Sequence, residues 1–103
     1  MTESDIQNSI IRRLREHGFI VIRLNSGMAK NNVRLAPPGT PDLLAVGFNG
    51  RVMWIEVKRE GGKLRDTQIE MHNDLTERGH LVVVARSADD VPVTYLLGVD
   101  QGL

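Results

Sequence analysis

Two strand-like runs joined by Asn49-Gly50 constrain this chain more than any other feature. Residues 42–48 (DLLAVGF) and 51–58 (RVMWIEVK) have strand composition, and Asn-Gly between such runs is a strong hairpin signal. A helical stretch, from Asp66 or Thr67 to Arg78, separates this hairpin from residues 81–85 (LVVVA). That last run is continuously apolar, as in a strand buried on both faces. A strand, a helix and a further strand make a crossover, which sets residues 81–85 parallel to 51–58 or its neighbour.

The remaining elements complete an α/β reading. Residues 4–17 form a helix, opened by Ser4-x-x-Gln7 in a capping-box pattern and closed by Gly18. Residues 19–24 (FIVIRL) are a β-branched strand. Residues 25–41 hold two Gly, three Pro and three Asn, together with Lys30 and Arg34, and form a long loop of the kind that carries function. Thr67-x-x-Glu70 opens the second helix, and Ser87 opens a last short one. The predicted order is α-β-β-β-α-β-α, a mixed β-sheet flanked by helices. With 103 residues, the whole of 1–103 is expected to be one domain.

Composition narrows the chemistry. Hydrophobic residues are 41% and charged residues 25% of the chain, which fits a globular protein rather than a disordered one. The absence of cysteine excludes disulfides, thiolate zinc sites and a cysteine nucleophile. The N-terminus is acidic where a secretory signal is basic, and no apolar run approaches the ~18 residues that span a bilayer, so a cytoplasmic, non-membrane protein is expected. Net charge is zero, but residues 1–65 hold 11 Lys/Arg against 6 Asp/Glu, and residues 66–103 hold 2 against 7. Such asymmetry is a hint of nucleic-acid contact.

Three polar features stand where packing alone would not put them. Alternation along 51–58 sends Trp54, Glu56 and Lys58 to one face and Met53, Ile55 and Val57 to the other. Asp42 precedes the apolar run of the partner strand. A strict two-residue turn would pair Asp42 with Val57, on the wrong face. A three-residue loop, Phe48-Asn49-Gly50 with Gly50 left-handed, pairs it with Glu56, and this is the register expected. Third, Glu3 falls in the helical stripe of Ile6, Ile10, Ile11 and Leu14, whereas Asp5 lies nearly opposite. On the second helix Gln68, Met71, His72 and Leu75 share an inward face, with Gln68 in the first turn.

Carboxylates with a lysine and no thiol suit a hard cation, Mg²⁺ or Mn²⁺, and phosphodiester hydrolysis. There is no P-loop motif, so no nucleotide cofactor is expected. His17, His72 and His80 form no His-Glu-x-x-His arrangement, and structural or surface roles are expected for each.

The run Glu3…Pro41-Asp42…Glu56-Val57-Lys58…Gln68 resembles the PD-(D/E)XK nuclease superfamily. Within it the chain is most similar to the VRR-NUC (virus-type replication-repair nuclease) domain family, through Gly39-Thr-Pro-Asp-Leu-Leu, Ile55-Glu-Val-Lys, Gly62-Lys-Leu-Arg-Asp-Thr-Gln68 and Gly79-His-Leu-Val-Val-Val-Ala. The resemblance implies a restriction-endonuclease-like core and metal-dependent DNA endonuclease activity, selective for branched DNA in the manner of a Holliday-junction resolvase. It also implies a homodimer acting in a bacterial or phage-infected host cell. Two alternatives are a nuclease on flaps or duplex without junction preference, and an inactive DNA-binding module. Carried over, Asp42, Glu56, the Val57 carbonyl and Glu3, the first-helix acid, bind metal, Lys58 is the catalytic lysine and Gln68 a site-supporting residue. Asp5 competes with Glu3 for its role. DNA contacts are expected from Lys30, Arg34, Arg59, Lys63 and Arg65.

Overall fold

The computed structural model describes residues 1–24 and 36–99. Lys30, Arg34 and most of the expected long loop lie outside the described residues. The described elements are α1 (Glu3–Glu16), β1 (Ile20–Arg23), β2 (Leu43–Val46), β3 (Val52–Val57), α2 (Asp66–Glu77), β4 (Leu81–Ala85), a 3-10 turn (Ala88–Asp90) and α3 (Val93–Leu96). The strands form one sheet in the order β1-β2-β3-β4. The first three pair antiparallel, and β4 lies parallel to β3 after the α2 crossover, as the sequence predicts. This is the mixed sheet with flanking helices of a restriction-endonuclease-like core.

The hairpin fixes the register on which the site depends. Leu43 faces Ile55 and Val46 faces Val52, so the next pair toward the open end is Asp42 with Glu56. Asn49 (φ 56°) and Gly50 (φ 74°) are both left-handed, and the Arg51 N–H closes the turn on the Phe48 carbonyl at 3.2 Å. The Gly47 N–H donates to the Arg51 carbonyl at 2.8 Å, so Gly47 is the ladder partner of Arg51 and Phe48 is an extra residue on its strand. Its N–H donates instead to the Leu96 carbonyl of α3 at 2.8 Å, and the Asn49 amide donates to the Gly98 carbonyl, also at 2.8 Å. The three-residue loop is therefore pinned by α3. Gly47 permits the approach, because a Cβ there would stand 2.1 Å from the Leu96 carbonyl oxygen.

The hydrophobic core lies on one side of the sheet. Ile6, Ile10, Ile11 and Leu14 of α1 pack on Val21, Leu43, Ala45, Met53, Ile55, Val57 and Ala85, all buried. Each of the larger side chains, the two alanines apart, contributes roughly 1.5–3 kcal/mol by leaving water. The opposite face carries α2, whose one fully buried residue is Gln68. Away from α2 that face is open: Ile20 is 62% and Ile22 44% exposed.

Helix ends differ from expectation. Thr2, not Ser4, caps α1, in a box with Asp5: Thr2 Oγ1 accepts from the Asp5 N–H and Asp5 Oδ2 from the Thr2 N–H, both at 3.1 Å. At α2 the cap position is Arg65, and the Gln68 side-chain oxygen accepts the Arg65 N–H at 2.8 Å, displacing the expected Thr67–Glu70 box. The last helix is split by Val91-Pro92 into the 3-10 turn and α3. Proline has no N–H to continue a helix through it.

Candidate functional site

Asp42 and Glu56 face each other across β2 and β3 at the end where the ladder stops. The next rung would pair residue 41 with Val57, but Pro41 brings no N–H. The Val57 N–H is answered instead by the Asp42 side chain: Oδ2 accepts it at 2.8 Å, while the Asp42 carbonyl accepts the Leu24 N–H at 2.8 Å. The carboxyl group is thus fixed at the strand end. Glu56, on the face opposite the apolar core, is only 2% exposed.

Burial is the main reason that the Glu56 carboxyl is pushed up to about 8. The hydrogen bond and negative charge of Asp42 push the same way, while the cations of Lys58 and Arg65 pull it back. Lys58 follows Glu56 by two residues on the same face, and its N–H donates to the Ala85 carbonyl at 3.0 Å, which ties the strand end to β4.

α2 supplies the cover. Gly39 (φ +85°) brings the segment before Asp42 so close to α2 that a Cβ would lie 2.0 Å from the Thr67 carbonyl oxygen. The strand bearing Asp42 and the helix bearing Gln68 are packed together through this glycine. Gln68 is 5% exposed and holds the first turn of α2 through the Arg65 N–H. One turn on, His72 Nε2 lies 3.1 Å from Glu56 Oε1. Burial lowers the His72 pKa as its largest influence, with the Asp42 carboxylate opposing that and Lys58 reinforcing it. With Glu56 protonated, a neutral imidazole accepts its O–H at Nε2; once Glu56 is ionised, Nε2 must donate.

His72 is the residue that sequence reasoning missed. The expectation of a structural or surface role describes His17, whose Nδ1 meets the Arg13 carbonyl at 2.9 Å, and His80, which accepts the Trp54 indole N–H at 3.1 Å. The available signal was the four-residue spacing from Gln68, which puts both on one helix face.

The other residues lie around this centre. Glu3 is exposed rather than core-facing, because it opens α1 at the rim of the sheet; its Oε2 accepts the Arg59 N–H at 3.4 Å. Asp5 is occupied by its own helix, where the Thr2 hydrogen bonds hold its carboxyl below the usual range. Arg59, Lys63 and Arg65 are exposed along the segment leading into α2. Arg86 Nη1 donates to the Arg59 carbonyl at 2.6 Å and steadies that segment.

Among the described residues no three His, Cys, Asp or Glu side chains gather as a metal cage. The donor set fits a hard cation that keeps waters and needs only one or two carboxylates beside a substrate phosphate, the habit of Mg²⁺. A carboxyl pushed up by burial, and further by a facing carboxyl, is a centre whose charge a dication would balance.

A mixed sheet that carries opposed Asp and Glu, a Lys two residues on and a helix-borne Gln defines a restriction-endonuclease-like protein of the PD-(D/E)XK type. The family model of the VRR-NUC domain matches residues 22–89, and the chain belongs to that nuclease domain family. It is similar to a protein described as a candidate nuclease, p44, of Acyrthosiphon pisum secondary endosymbiont phage 1. The two are 32% identical over 76 residues, covering 74% of this chain and 82% of that protein. A solved VRR-NUC domain superposes with a TM-score of 0.70 at 26% identity, over 90% of this chain and 92% of the other. No helix among the described residues is long and apolar enough to cross a membrane.

Proposed function

We propose that residues 1–103 act as one Mg²⁺- or Mn²⁺-dependent DNA endonuclease domain, working as a homodimer on branched DNA. The observation that carries the reading is the Asp42–Glu56 pair, with Glu56 buried and Lys58 on the same face. Asp42 and Glu56 would hold the cation, and the Val57 carbonyl, between Glu56 and Lys58 in the chain, would be a further ligand. A bound dication supplies Lewis acidity toward the scissile phosphate and the attacking water.

The chain's own groups do the rest. The Val57 N–H keeps the Asp42 carboxylate from turning away. His72 holds Glu56 Oε1 and so would fix the orientation of the carboxylate that would bind the cation. The Lys58 ammonium orients the attacking water or stabilises the charge that grows on the phosphate. Gln68 fixes the start of α2 over the site, and Glu3 completes the acidic rim. Lys30, Arg34, Arg59, Lys63 and Arg65 contact backbone phosphates, which position DNA without reading its sequence. Preference for branched DNA rests on the resemblance to small stand-alone family members, and on the two symmetry-related cuts that a dimer would make.

The test is cleavage of a labelled four-way junction and a matched linear duplex, with Mg²⁺, Mn²⁺ or EDTA, beside Lys58→Ala. Metal-dependent paired cuts in the junction alone, abolished in the variant, are the expected result. Cleavage of both substrates keeps the nuclease and removes the junction preference. Binding without cleavage under any metal leaves a DNA-binding module.

A further inference from the structure

Away from the carboxylates, α1 and β1 enclose a groove of about 660 Å³ lined by Asn8, Ile11, Arg12, Arg15, Glu16 and Arg23. We infer that this groove is a second DNA contact, in which Arg12, Arg15 and Arg23 take backbone phosphates of a duplex arm leaving the cleavage site. The inference rests on the nuclease reading for the identity of the polyanion.

Three arginines on one concave surface repel one another unless something answers their charge. The partners they have here are neutral. Arg23 Nη2 donates to the Asn8 side-chain oxygen at 3.1 Å, and Arg15 Nη2 reaches the Val21 carbonyl at 3.5 Å. Among the described residues no ion pair engages any of the three. Glu16 is the single acid in the lining. The contrast with Arg13, on the same helix, is informative: it is turned away from the groove and pairs with Asp89 at 3.7 Å. The Asn8 and Val21 contacts orient two guanidinium groups while leaving their charge unneutralised.

Position favours a strand of phosphates over a small anion. Arg23 faces Leu43 in the sheet, next to Asp42, and the neighbouring Leu24 bonds to the Asp42 carbonyl. Arg12 and Arg15 lie further along α1, one turn apart. A backbone crossing the sheet end at Asp42 would meet Arg23, held at Asn8, first and then Arg12 and Arg15. This path runs over β1, on the other side of Asp42 from Arg59, Lys63 and Arg65.

The experiment uses the full chain carrying Lys58→Ala, in EDTA, so that affinity is read without cleavage. Binding of a fluorescent linear duplex is followed from 50 to 200 mM salt for this parent, for the added triple change Arg12→Ala/Arg15→Ala/Arg23→Ala, and for Arg13→Ala as control. The slope of log K against log salt is expected to fall by about 0.9 for each phosphate that is no longer neutralised, a total of roughly one to three, with the control unchanged. An unchanged slope and affinity in the triple variant would overturn the groove. Arg12→Glu alone, on an exposed side chain, repeats the test should the triple variant melt early; it is expected to weaken binding at low salt more than at high salt, and equal affinity to the parent counts against the groove. Tighter binding of duplex RNA than of duplex DNA through these arginines would also overturn it. Cleavage by the unmodified chain is scored separately. A chain that cuts but shows no slope change loses the groove, and one that shows the slope change but never cuts loses the nuclease reading.

Discussion

The two faces of the sheet are built on different rules. Toward α1 the contacts are aliphatic, with Ile10, Leu14, Leu43, Met53 and Ile55 wholly shielded. Toward α2 the contacts that matter are polar, joining His72 to Glu56, Trp54 to His80 and Gln68 to the Arg65 backbone. Adjacent residues of a single strand, Ile55 and Glu56, therefore serve opposite purposes. Hydrophobic burial on one side carries the cost of keeping an ionisable carboxyl out of water on the other.

Breaking the α1 face should have the largest effect on stability. Leu14→Ala is expected to cost about 2–5 kcal/mol in denaturant unfolding, because a fully buried leucine leaves a cavity between α1 and the sheet. The α2 face should respond in the opposite sense. Lys58→Ala is expected to lower the cleavage rate by roughly 10²–10³-fold, the range for removing one preorganised charge, with little change in melting temperature. Comparable losses of stability in both variants would erase the distinction between the faces.

The pH dependence sharpens it. The folded Glu56 carboxyl titrates near 8 against an ordinary 4.5, so between these values the folded state holds a proton that the unfolded chain has released. Stability gained from this group is full below 4.5 and is lost as pH rises through 8. The lowered His72 pKa acts the other way, and only below its ordinary 6.5. Metal-free melting temperature should therefore fall from pH 6.5 to 8, and Glu56→Gln should flatten that fall. Added Mn²⁺ should flatten it too, by favouring the ionised carboxylate. The smallest expected effect is His72→Ala, a loss of ~10- to 100-fold in Mn²⁺ affinity measured by titration calorimetry, the usual range for a partner that orients a ligand.

How much of this could be read from residues alone varies by element. The stripes of α1 and α2 were legible because helical spacing alone places Ile6, Ile10, Leu14, Gln68 and Leu75. The Asp42–Glu56 register was legible because a hairpin has few ways to turn at Asn49-Gly50. What was hidden depends on contacts between distant segments. His72 resembles an ordinary core histidine until Glu56 is set beside it. Thr2 outcompetes Ser4 as a cap because Asp5 stands three residues on to complete the box. The first turn of α2 answers to the glycine packed on Thr67, which no helix rule contains. The arginine groove joins residues 8–16 to residue 23, and only the packing of α1 beside β1 brings them together.

The extra residue at Phe48 turns the site into a question of odd and even. The four residues of β2, five steps or ~17 Å of chain, separate Gly47 from Asp42. Pairing Phe48 with Arg51, as a strict two-residue Asn49-Gly50 turn would, leaves the sheet paired and its hydrogen bonds countable, yet exchanges inside for outside along β2. Asp42 would then face the aliphatic core, and Leu43 would face Glu56. In this sequence an odd number of loop residues centred on Asn49 keeps Asp42 opposite Glu56, whereas an even number abolishes the site without touching any residue near the carboxylates.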